Sequence, residues 1–255
     1  MHDDYPILEF DASSEAIIEP KRVIRPLDDI PEHAVLCFFQ DVITQLSQQH
    51  KARVIKHLKS EFGTHPVFEL QIDSKRLAVV HPGVGAPLAA AMLEEVIALG
   101  CKKFVACGGA GVLDGTLAIG HIVVPTTAIR DEGTSYHYLA PGREVNAHPA
   151  GIAALERVLS AHHCEYILSK TWTTDGIYRE TQSKVQRRKA EGCITVEMEA
   201  AAFFAVAQFR NVQFAQILYG GDDVSGNEWD SRYWDSHTSV REKLFWLAAE
   251  ACLSM

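Results

Sequence analysis

Leu77-Ala78-Val79-Val80 runs into His81-Pro82-Gly83-Val84-Gly85-Ala86-Pro87, then into a segment ending at Leu99, and then into Phe104-Val105-Ala106-Cys107. This stretch decides the fold class. Its first and last runs are short and continuously apolar, as strands buried on both faces are, while Leu88, Met92, Val96 and Leu99 recur between them at helical spacing. Glycines permit the tight turn from strand to helix, and Pro87 suits a first helical turn. A strand, a turn, a helix and a second strand in this order form the unit from which parallel sheets are built.

The same rhythm extends in both directions. Residues 34–39 read as a strand followed by a helix over 42–58, and strand-like runs return at 67–72, 121–126, 166–173, 194–196 and 214–219. Helical patterns occupy 87–99, 149–161, 181–191, 200–209 and 239–252. The expectation is an α/β fold in three layers, with a central mixed sheet flanked by helices and a ligand site beyond the carboxyl ends of the strands. Residues 1–33 are polar and punctuated by Pro6, Pro20, Pro26 and Pro31, which suggests an N-terminal arm with little regular structure, of a kind that often packs on a neighbour. No linker interrupts residues 34–255, which are expected to form one domain.

Composition narrows the function classes. The 255 residues are 47% hydrophobic and 22% charged, with a formal charge of −9, which argues against a phosphate-backbone grip and hence against nucleic acid as the partner. No apolar run is long enough to cross a bilayer, and the N-terminus lacks the basic and apolar regions of a signal peptide, so no membrane partner and a cytoplasmic location are expected. The cysteines at 37, 101, 107, 164, 193 and 252 include no Cys-x-x-Cys pair and read as buried free thiols. His162-His163 has no metal-like partner spacing, and no metal site is expected. The basic face of Lys184, Arg187, Arg188 and Lys189 reads as solvated.

Several segments that follow strands could carry chemistry. Gly83-Val84-Gly85 lacks the third glycine of a dinucleotide fingerprint and could be a plain turn. Gly108-Gly109-Ala110-Gly111 has almost no side chains, so either close packing requires it or backbone amides face a ligand. Val196-Glu197-Met198-Glu199-Ala200 sets two carboxylates beside a buried segment, where charges need partners. The two acids share a side if this stretch is extended and diverge if it is helical; the alternative is a helix N-terminus that uses their charge. Gly220-Gly221-Asp222-Asp223 is either an Asp-rich turn or a second acidic site.

Taken together, these segments resemble the nucleoside phosphorylase superfamily, in the branch of uridine phosphorylase, hexameric purine nucleoside phosphorylase and the methylthioadenosine nucleosidases. The likeness covers residues 35–255 and rests on Val196-Glu197-Met198-Glu199-Ala200, Thr174-Asp175-Gly176-Ile177-Tyr178, Gly83-Val84-Gly85 and the stretch 129–137. It implies a partly barrel-like sheet. It also implies that Glu199 holds the ribose hydroxyls, that Met198 packs on the sugar, that Tyr178 closes over the nucleoside, and that Asp222 protonates a purine leaving group. Glu197 and the small residues Gly109, Ala110 and Gly111 are expected to line the substrate site with them. The implied partners are a nucleoside and inorganic phosphate, with no cofactor, in a homo-oligomer built as a dimer or a trimer of dimers.

One departure qualifies the resemblance. Phosphorylases of this branch hold phosphate with a Gly-Asp-Pro-x-Arg segment and an arginine ahead of the glycine-rich stretch, which itself carries a Ser or Thr. Here the first place reads Phe38-Phe39-Gln40-Asp41-Val42-Ile43 and the second Ala106-Cys107-Gly108-Gly109-Ala110-Gly111. Both arginines and the hydroxyl are missing. Arg130, Arg179 or a lysine from 51–59 could substitute, although each also reads as a solvated surface charge. Phosphorolysis of a purine nucleoside is the expected activity; hydrolysis, with Asp41 nearest to a water-activating acid, and nucleoside binding without turnover are the alternatives.

Overall fold

The computed structural model describes residues 5–255; Met1 to Asp4, the first residues of the arm and of the stretch read for a signal peptide, lie outside them. The arm carries a 3-10 turn at Pro6–Leu8 and a one-turn helix α1 (Pro20–Val23). It packs on its own chain: Ile24, Leu27 and Ile30 lie against the core, the Leu27 N–H donates to Leu99 O at 3.1 Å, and Arg76 pairs with Asp29.

The elements then follow as β1 (His33–Cys37), α2 (Gln40–Gln49), β2 (Arg53–Ser60), β3 (Gly63–Ile72), β4 (Lys75–Val80), α3 (Ala86–Leu99), β5 (Lys103–Val112), β6 (Ile122–Asp131) and β7 (Glu144–Asn146). They continue with α4 (Pro149–Ala161), β8 (Tyr166–Thr174), α5 (Gln182–Ala190), β9 (Cys193–Glu197), α6 (Ala200–Arg210), β10 (Gln213–Asp223) and α7 (Thr238–Leu253). All strands join one mixed sheet in the order β10-β6-β8-β9-β5-β1-β4-β3-β2, with β7 on β6. Because β10 also pairs with β5, in parallel from Gln213 with Lys103 onward, the strands β5, β9, β8, β6 and β10 close into a small barrel. Apolar side chains fill both faces: α3 and α6 cover one, with Met92, Phe203, Phe204 and Phe214 buried, and α4 and α7 cover the other, with Leu155, Phe245 and Leu247.

Three sequence expectations are corrected. The helix over 42–58 ends at Gln49; Lys51 takes a left-handed φ of 55°, and residues 53–60 form β2, antiparallel to β3 through a turn at Glu61-Phe62. Val54 and Leu58 fit helical spacing as well as alternation, so the pattern alone could not separate the two. The glycine-rich stretch 108–111 is no loop but the second half of β5, and Gly220 to Asp223 likewise continue β10. The third correction concerns the basic face: Arg188 is buried, paired with Asp131 at 3.0 Å and Glu191 at 3.0 Å, and stacked on Trp172. Of the cysteines, five are buried and Cys164 is half-buried, and all are free.

Candidate active site

The ends of β5, β8, β9 and β10 meet around Ala110, with the loop after β4 beside them. β9 stops at Glu197, and Glu199, at φ −138° and ψ −28°, is the N-cap of α6, so the chain bends between the two acids. They therefore do different things. Glu197 turns inward: Oε2 accepts the N–H of Glu199 at 2.7 Å and of Ala200 at 2.6 Å, and Oε1 accepts the Thr173 hydroxyl at 2.6 Å. Its carboxyl satisfies the first turn of α6 and ties β9 to β8. Glu199 instead reaches the loop after β4, where Oε1 accepts the Gly85 N–H at 2.6 Å. Gly85 has φ of 92°, a conformation that glycine takes without strain.

Both acids are buried and no arginine or lysine pairs with either among the described residues. Burial pushes Glu197 up to about 7, and burial with the neighbouring Glu197 charge pushes Glu199 up to about 8. Two further acids lie close by. Asp175 follows β8 and accepts the Gly133 N–H at 2.9 Å, while Glu132 is buried, raised by that burial, and accepts the Ser135 N–H at 2.9 Å. Met198 between the two motif acids is half-buried.

Asp222 stands across the glycine-rich strand. A register shift between Gly220 and Asp223 re-aims the end of β10. A Cβ placed on Gly111 would lie 3.6 Å from Asp222 Oδ1 and 3.0 Å from Val196 Cγ1, so the lack of a side chain at Gly111 makes room for the carboxylate. Asp222 Oδ2 accepts the indole N–H of Trp229 at 2.7 Å, and Trp229 is itself 64% exposed. Asp223 is committed elsewhere, to Arg232 and the Ser225 N–H. Of the adjacent aspartates, Asp222 is the one whose carboxylate lies against Gly111.

Aromatic rings take up the side-chain positions of the other glycines. A Cβ on Gly108 would meet the Phe38 ring at 3.1 Å, and one on Gly109 would meet the Tyr219 ring and hydroxyl at 3.2 to 3.3 Å. Ala110 is buried between them. Tyr178, in the 3-10 turn Ile177–Arg179 beyond β8, is 95% exposed, so its ring stands outside the cluster of Glu199 and Asp222.

The phosphorylase superfamily profile matches residues 32–249. The chain belongs to the phosphorylase superfamily. A guanosine phosphorylase of Halorubrum lacusprofundi is 30% identical over 167 residues, 64% of this chain and 68% of that protein. The fold matches the crystal structure of uridine phosphorylase from Vibrio fischeri, with a TM-score of 0.75 at 18% identity over 89% of this chain and 94% of that one. It also matches that of an AMP nucleosidase from Bacteroides thetaiotaomicron, with a TM-score of 0.74 at 17% identity over 91% of this chain and 95% of that one. The nucleoside phosphorylase fold expected from the sequence, with its barrel-like mixed sheet, is the fold of this protein.

Within the superfamily frame, the candidate phosphate cations need correction. Arg130 is no surface charge: it is buried, donating from Nε to Ser135 Oγ at 2.8 Å and from its terminal nitrogens to Ala140 O and Leu139 O. It serves to hold the loop after β6. The cation that reaches Tyr219 is Arg241 on α7, with Nε 3.5 Å from the Tyr219 hydroxyl and Nη1 3.4 Å from Asp41. Nothing in the sequence singled it out, because a lone arginine on an amphipathic helix has no local signature. Glu180 has no sequence signature either: it is a single acid just beyond the 3-10 turn Ile177–Arg179. Its half-buried carboxyl is pushed up to about 7 by burial and by the Asp222 charge.

Among the described residues no helix is long and apolar enough to cross a membrane. Two C-terminal tryptophans take different places: Trp229 touches Asp222, whereas Trp246 packs on Phe245 and His50.

Proposed function

We propose that this protein cleaves the N-glycosidic bond of a purine nucleoside with inorganic phosphate as the acceptor. The observation that carries the reading is the pair of carboxyls on either side of the glycine-rich strand, Glu199 beside Gly85 and Asp222 beside Gly111. Breaking the bond builds positive charge on the sugar and negative charge on the departing base. Glu199, once ionised, accepts hydrogen bonds from the ribose 2′ and 3′ hydroxyls and fixes the sugar; the acid end around Asp222 supplies the proton that leaves with the purine. Met198 packs on the sugar, Glu197 positions Glu199 by capping α6, and Tyr178 folds onto the bound nucleoside from its exposed turn. The strand at Gly109, Ala110 and Gly111 faces the acceptor. The likeness to a guanosine phosphorylase supports a purine base.

The reading includes a homo-oligomer, a dimer or a trimer of dimers. A cleft of about 520 Å³, lined by Phe62, His65, His81, Val84 and Leu88 among others, opens beside the Glu199 loop, with Phe62 and Val84 exposed at its mouth. A second subunit would close it.

Hydrolysis is the second reading, favoured by one observation: the Tyr219 hydroxyl and the Phe38 ring lie over Gly109 and Gly108, where the related enzymes present a hydroxyl and arginines to phosphate. The experiment is a screen of the purified protein against purine and pyrimidine nucleosides with and without phosphate, identifying the sugar released. Ribose 1-phosphate formed only with phosphate supports the proposal; free ribose formed in either condition replaces it with hydrolysis.

A further inference from the structure

Asp222 is not alone at the base end of the site. Glu180 lies just beyond the 3-10 turn after β8, on a segment latched to the one after β10: Gln182 Nε2 donates to Asn227 Oδ1, and Trp229 from that same second segment donates to Asp222. These contacts bring 180–182 against 222–229. The Glu180 carboxyl is half-buried and takes no hydrogen bond or ion pair among the described residues, and its charged neighbour is Asp222. Two carboxyls close enough for their charges to interact hold one proton between them more readily than none. Trp229 decides how the two differ. Its N–H occupies Asp222 Oδ2 as an acceptor, whereas nothing occupies Glu180.

We propose that Glu180 and Asp222 form a two-carboxyl base site sharing one proton, and that Glu180 is the group that delivers it to the purine. This deepens the glycosidic reading and rests on it. The N9–C1′ bond breaks with its electron pair passing to the base, the proton moves from Glu180 to purine N7, and the acceptor oxygen bonds to C1′. The proton displaced from the acceptor passes to solvent, from which Glu180 is protonated again. Asp222, steadied by the indole, accepts a hydrogen bond from the N–H edge of the base. The burial that holds Glu180 up to about 7 keeps the donor form populated at neutral pH.

The test uses a nucleoside that needs no such proton. In 7-methylguanosine N7 already carries a methyl group and the base leaves without protonation, so the ratio of its cleavage rate to that of guanosine reads proton delivery alone. Glu180→Gln is expected to shift this ratio by about 30-fold or more against guanosine at about pH 6.5. It should also flatten the fall in guanosine kcat/KM on the alkaline side of its optimum, and Glu180→Asp should recover part of both. An unchanged ratio in Glu180→Gln, with the shift appearing in Asp222→Asn instead, would overturn the proposal and leave the glycosidic reading standing. Loss of both substrates equally in Glu180→Gln would also overturn it, since a structural role moves both. A wild-type protein that releases base from neither nucleoside would refute the glycosidic reading beneath it.

Discussion

Glu199→Gln isolates the ribose grip. The amide keeps the shape and retains a carbonyl oxygen for the Gly85 N–H, which now sits 2.6 Å from Oε1, so the fold at the loop after β4 should survive. What changes is charge. A hydrogen bond to an ionised acceptor contributes about 1 kcal/mol more than one to a neutral acceptor, so two ribose hydroxyls lose about 2 kcal/mol, about 30-fold in kcat/KM. Glu199 is pushed up to about 8, first by burial and then by Glu197. Only about one tenth of wild-type molecules carry the charge at pH 7 and about nine tenths at pH 9, so the deficit of the variant should grow from about 3-fold to about 30-fold across that range. Taking the ratio of the two enzymes cancels any other group that titrates in both, Glu180 included. The assay is kcat/KM for guanosine at half-unit pH steps. A ratio that stays flat with pH would refute the reasoning, because it would mean that Glu199 binds ribose in the same charge state throughout.

The buried Glu197 makes stability fall with pH. Its folded-state value is raised to about 7 from an ordinary 4.5, so the protonated form is the favoured one in the fold; this contribution is complete below about pH 4.5 and lost as pH rises through 7. Between pH 5 and 9 wild type should lose about 3 kcal/mol more of unfolding free energy than Glu197→Gln does in urea titrations, and equal losses would contradict the assignment. Gly111→Ala should lower stability by about 1 to 2 kcal/mol and depress guanosine cleavage, because its Cβ would lie 3.0 Å from Val196 Cγ1 and crowd the Asp222 carboxylate. Unaltered thermal melting and kinetics would show that the strand yields there without cost.

Much of this architecture was legible from residue patterns because burial on both faces leaves a plain mark. The helix over 149–161 and the run at 200–209 are dominated by apolar residues, and both formed where the spacing placed them, the second reaching Arg210. The β2–β3 hairpin was misread because an edge strand with charged outer positions, Arg53, Lys56 and Lys59, leaves only Val54, Ile55 and Leu58 to carry a period. The glycine-rich strand was hidden for the opposite reason. Glycine signals a turn, yet here the rings of Phe38 and Tyr219 and the carboxylate of Asp222, distant in sequence, occupy the space that side chains would take. The site shows the same split. Glu199 and Asp222 were legible as acids after strands, but the separate tasks of Glu197 and Glu199 depend on a bend that no composition reveals. Arg130 was misjudged because its burial is decided by carbonyls at 139 and 140, on a loop it folds itself.

The most direct measurement is the product of guanosine turnover by purified protein, followed with and without inorganic phosphate, with the sugar identified by mass. Guanine and ribose 1-phosphate, formed only when phosphate is present and strongly reduced in Glu199→Gln at pH 9, are the expected result. Ribose formed at the same rate without phosphate would contradict the choice of acceptor, and absence of free base from any nucleoside would contradict the account as a whole.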